Sequence, residues 1–81
     1  MIHTLEALES GQLMGTKTLK LACGLKTFPE AILTLADTLE VLDLSDNALT
    51  ELPKGISELK HLRIIFFARN KFTEFPSVLA A

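Results

Sequence analysis

Residues 39–53 read LEVLDLSDNALTELP, and the same pattern returns in residues 62–76 as LRIIFFARNKFTEFP. The two segments begin at Leu39 and Leu62, so they are offset by 23 residues. Both carry a large apolar residue at the first, fourth, sixth, eleventh and fourteenth positions, and both have asparagine at the ninth, Asn47 and Asn70. A fixed period of about 20–50 residues indicates a stacked repeat architecture, in which each unit packs on the next.

An earlier, irregular copy precedes these two. Leu19 and Leu21 match Leu42 and Leu44 at the same offset, but one residue is then missing, and Cys23 stands where the later copies have asparagine. An extra residue near Asp37 restores the register. We therefore expect an N-terminal capping helix and turn in residues 1–15, followed by repeats in residues 16–81: an irregular one (16–38), a regular one (39–61) and a truncated one (62–81).

The pattern predicts an α/β solenoid with a short parallel sheet. Period-two alternation places one strand in each repeat, at about Thr18–Ala22, Val41–Ser45 and Ile64–Ala68. The return segments are predicted as about two helical turns in Glu30–Asp37 and a 3-10 or single turn in Lys54–Ser57. The expected core contains Leu19, Leu21, Leu25, Phe28, Ile32, Leu35, Leu39, Leu42, Leu44, Leu49, Leu52, Ile56, Leu59, Leu62, Ile65, Phe67, Phe72, Phe75 and Leu79.

The outward strand positions define the candidate binding face, because solenoids bind partners on their concave sheet. Phe66 is the most informative of them, since an exposed aromatic beside apolar neighbours resembles a binding anchor. The alternative is that a further repeat, or a neighbouring molecule in a crystal, covers Phe66. The candidate partner-binding residues are Lys20, Val41, Asp43, Ile64, Phe66 and Arg69. Cys23, Asn47 and Asn70 are interpreted as structural turn positions, with Cys23 a small buried side chain.

Composition narrows the function classes. The chain has 81 residues, eight basic and ten acidic side chains and one cysteine. A net charge of −2 argues against a nucleic-acid partner and against docking on an anionic membrane. A single cysteine excludes an internal disulfide framework, and the first ten residues lack the basic start of a signal peptide, so we expect a cytoplasmic protein.

No pattern predicts catalysis or a cofactor. Residues 11–18 (GQLMGTKT) imitate a phosphate-binding loop, but Thr16 replaces its second glycine, and a helix precedes where a strand should. His3 and His61 have no ligand-type neighbours at metal-binding spacing. We therefore expect neither a metal nor a cofactor, and no enzyme activity.

The repeats resemble the leucine-rich repeat family across about residues 16–81. More narrowly, residues 19–30 (LKLACGLKTFPE) and 35–47 (LADTLEVLDLSDN) are similar to the N-terminal repeat region of bacterial leucine-rich-repeat proteins that continue into a protein-kinase domain. That resemblance implies phosphotransfer in a full-length relative. Kinase motifs are missing from this sequence, so none of that activity is carried onto these residues.

Two functions remain open at this point. The first is a non-enzymatic protein–protein interaction module with an unidentified protein partner; the alternative is a regulatory or substrate-recruiting N-terminal fragment of a longer leucine-rich-repeat kinase. The third repeat stops at Ala81 without a polar cap. An uncapped repeat predicts either a piece of a longer array or self-association through that end.

Overall fold

The computed structural model describes residues 4–73 together with Pro76 and Leu79. Its elements follow the order of helix α1 (Leu5–Glu9), strand β1 (Thr18–Lys20), a first 3-10 helix (Glu30–Leu35), strand β2 (Val41–Asp43), a second 3-10 helix (Lys54–Glu58) and strand β3 (Ile64–Phe66). The strands form one parallel sheet in the order β1-β2-β3. The predicted α/β solenoid with one short strand per repeat is confirmed.

The sheet register reproduces the sequence period. Val41 pairs with Thr18 on one side and with Ile64 on the other, and each step is 23 residues. The strands end two residues earlier than expected. The reason lies in the turn, where the Asn47 side chain donates to the carbonyls of Leu44 and Ser45 and so bends the chain out of the strand.

The return segments are 3-10 helices rather than longer α-helical turns. Each begins directly after a proline. The carbonyl of Pro29 accepts the first hydrogen bond of the first helix, from the N–H of Ile32, and the carbonyl of Pro53 accepts that of the second, from the N–H of Ile56. A proline suits this place because its fixed φ starts the turn and its missing N–H is not needed there. The first return segment, Glu30–Leu35, has six residues and so makes two turns of 3-10 helix, and the predicted short helical or 3-10 return segments are confirmed.

A single leucine-rich core lies between the sheet and the return segments. Leu19, Leu42, Leu44 and Leu49 have no exposed surface. In the third repeat, Leu62, Ile65, Phe67, Phe72 and Leu79 are only partly buried, since β3 is an edge strand. Phe75 lies outside the described residues.

Helix α1 packs against the irregular first repeat. Thr4 caps it by accepting a 3.0 Å hydrogen bond from the N–H of Ala7. Ala7 and Leu8 are buried in the common core. Leu13, in the turn that follows, is 1% exposed and belongs to the core as well, although it lies outside the repeat pattern that predicts the other core positions.

Candidate protein-binding face

The outward side chains of the three strands form two rows across the sheet. Thr18, Val41 and Ile64 stand in one row. Lys20, Asp43 and Phe66 stand in the next. We call this surface the concave face, since it is the sheet side that faces away from the core.

The concave face changes in character from β1 to β3. Thr18 and Lys20 on β1 are polar and exposed, whereas Ile64 and Phe66 on β3 are apolar and 45% and 50% exposed. Val41, between the two ends, is partly buried. An exposed aromatic and an exposed isoleucine side by side form an apolar patch at one end of the sheet.

An ion pair forms the rim of this face. The Arg69 side chain donates from Nη2 to Asp46 Oδ2 at 2.9 Å and also from Nε to Asp46 Oδ1. The pKa of the Asp46 carboxyl is lowered from its ordinary value, mainly by the hydrogen bond from Arg69, with the positive charges of Arg69 and Lys20 acting in the same direction. The same hydrogen bond raises the pKa of Arg69.

Charges of opposite sign alternate on this side of the molecule. Lys20 lies in register with Asp43, whose carboxylate accepts a 2.9 Å hydrogen bond from the N–H of Ser45. Asp46 and Arg69 follow at the rim, and the influence of Asp43 reaches Arg69. These four groups balance one another in charge, so the face has no single-sign field that would attract a highly charged partner.

Asn47 closes the turns of two repeats at once. Its Oδ1 accepts from the N–H of Cys23 (3.1 Å) and of Leu25 (3.0 Å), both in the preceding repeat. Its Nδ2 donates to the carbonyls of Leu21 and Leu44, each at 2.8 Å. The amide therefore joins backbone groups of repeats one and two that the bent chain leaves without ladder partners.

Asn70 makes the equivalent connection between repeats two and three. Its Oδ1 accepts from the N–H of Leu49 at 3.0 Å, and its Nδ2 donates to the carbonyls of Leu44 and Phe67. Every buried side-chain nitrogen or oxygen in the described part has a hydrogen-bond partner. The asparagines are thus part of the framework beneath the candidate face and not part of its contact surface.

Cys23 does not occupy the buried position expected for it; its thiol is exposed. The physical reason is that the backbone groups in the turn of repeat one are hydrogen-bonded by the side chain of Asn47, which belongs to repeat two. The shortened turn also passes through Gly24, whose φ of +74° favours glycine. The Cys23 side chain is therefore not needed inside the turn.

A second ion pair, not found by sequence reasoning, links adjacent repeats at the start of the strands. Arg63 Nη1 lies 3.8 Å from Glu40 Oε1, and the two residues are 23 positions apart. The Asp46–Arg69 pair has the same separation. Searching the sequence for opposite charges at the repeat spacing would have identified both pairs.

Two sequence features that bear on chemistry, metal ligands and a phosphate-type loop, can be compared with the described residues. Those residues contain no cluster of His, Cys, Asp or Glu that could hold a metal ion. Residues 11–17 lie between α1 and β1, and Thr18 begins β1, so the sequence that imitates a phosphate-binding loop runs into a strand, whereas such a loop requires a helix after it. None of the helices described is long enough or apolar enough to cross a bilayer.

Comparison with known proteins agrees with this geometry. The family description "Leucine Rich Repeat" matches residues 38–59, which is nearly all of the regular repeat. A probable serine/threonine-protein kinase, roco11, of Dictyostelium discoideum is 49% identical over 41 residues, which are 51% of this chain and 3% of the kinase.

A second relative is an uncharacterized leucine-rich repeat-containing protein of Schizosaccharomyces pombe, 40% identical over 52 residues. That match covers 64% of this chain and 8% of the relative. The chain therefore spans less than a tenth of either protein. Both relatives are eukaryotic, and the narrower likeness to bacterial proteins stays a prediction. No solved structure matches the sequence.

Proposed function

Because this chain is built from leucine-rich repeats, we propose that it is a non-enzymatic protein-binding module whose concave face contacts the partner. The observation that carries the proposal is the pair of exposed apolar side chains, Ile64 and Phe66, in the outward rows of the sheet. Repeat arrays present extended surfaces of this kind to proteins, and buried aromatic anchors supply much of the binding energy at such contacts.

The proposed contact residues are those of the two rows and the rim: Lys20, Val41, Asp43, Ile64, Phe66 and Arg69. Phe66 is the proposed anchor, with Ile64 and Val41 beside it. The balanced charges of the rim favour a partner that is itself neither strongly acidic nor strongly basic at this contact. The partner is a protein, not a nucleic acid or a membrane, and the expected compartment is the cytoplasm.

A pull-down with matched variants tests the concave face. Phe66→Glu removes the aromatic anchor and adds a charge at its centre. Ser57→Glu adds the same charge at an exposed position of the second 3-10 helix, on the opposite side of the molecule. We expect partners retained by wild type and Ser57→Glu to be lost with Phe66→Glu. Equal recovery by all three folded proteins would remove the concave face from consideration.

A second candidate function rests on the similarity to a probable protein kinase. In this reading the repeats are a regulatory or substrate-recruiting segment of a longer kinase. The coding sequence downstream of Ala81 distinguishes the two functions. A kinase domain in the same reading frame would support the second candidate, and its absence would reject it.

A further inference from the structure

We draw no further inference here: the strongest candidate, the pocket between residues 26–30 of the first repeat and residues 50–53 of the second, has charged side chains of both signs, Lys26, Glu30 and Glu51, all of them exposed, and nothing in the structure shows which ligand would occupy it.

Discussion

Replacing Asn47 with alanine should destabilise the fold more than any other change at a turn. The substitution leaves the N–H groups of Cys23 and Leu25 without their acceptor and the carbonyls of Leu21 and Leu44 without their donor. A net contribution of about 1 kcal/mol for each neutral hydrogen bond gives an upper figure of about 4 kcal/mol. Asn47 is only partly buried, so water restores some of these bonds, and we expect a loss of about 3 kcal/mol.

Urea unfolding followed by circular dichroism measures this loss, with the slope m checked for two-state behaviour. For a domain of this size, about 3 kcal/mol corresponds to a fall in Tm of roughly 12–24 °C. Asn70→Ala is the matched comparison, because Asn70 accepts from one N–H, that of Leu49, instead of two. It should cost about 1 kcal/mol less than Asn47→Ala.

Thr50→Ala, at an exposed position, is the control and should change stability by less than about 0.5 kcal/mol. The reasoning would be refuted by a loss below about 1 kcal/mol for Asn47→Ala with m unchanged. It would also be refuted if Asn70→Ala cost clearly more than Asn47→Ala, because the amide would then not act by joining two repeats.

Three further predictions concern the rim and the first turn. Arg69 has a φ of +54°, so Arg69→Gly should be about 1 kcal/mol more stable than Arg69→Ala in the same urea assay, and equal stabilities would show that the backbone there is unstrained. The pKa of Asp46 is lowered in the folded state, so the stability that its ionised carboxylate contributes is present above the pKa of the unfolded chain and is lost as the pH falls through the pKa of the folded protein. A carbon-13 titration should show a higher Asp46 pKa in Arg69→Gln than in wild type. An unchanged pKa would contradict Arg69 as the cause of the shift. Cys23 is exposed, so a thiol reagent should label it in native protein about as fast as in urea, whereas protection would restore the buried interpretation.

The 23-residue spacing was enough to predict the parallel sheet, because register in such an array follows from stacking identical units. The alternation of Leu42, Asp43 and Leu44 likewise predicts which side chains face the core. The sheet register and the inward side chains could both be predicted because each is determined by residue spacing along the chain.

The remaining features depend on contacts between repeats that no local pattern contains. The sequence identifies Asn47 as a turn residue but does not reveal that its amide reaches back to Cys23, which is why Cys23 was wrongly expected to be buried. Leu13 was missed because the glycines on either side, Gly11 and Gly15, resemble a loop, although their positive φ values turn the chain so that Leu13 enters the core. The contact residues of the concave face stay a prediction.

The links between repeats two and three have a consequence for engineering. The Asn70 bonds to Leu49 and Leu44, the Arg69–Asp46 pair and the sheet register each join a residue to a partner about one repeat earlier, and none of them reaches two repeats back. A duplicate of residues 39–61 inserted after His61 would therefore keep the asparagine hydrogen bonds on both of its sides, but it would stack Glu40 on Glu40 and Asp46 on Asp46, where opposite charges now pair. Adding whole units to this chain thus preserves the backbone links and requires redesign of these two charged positions.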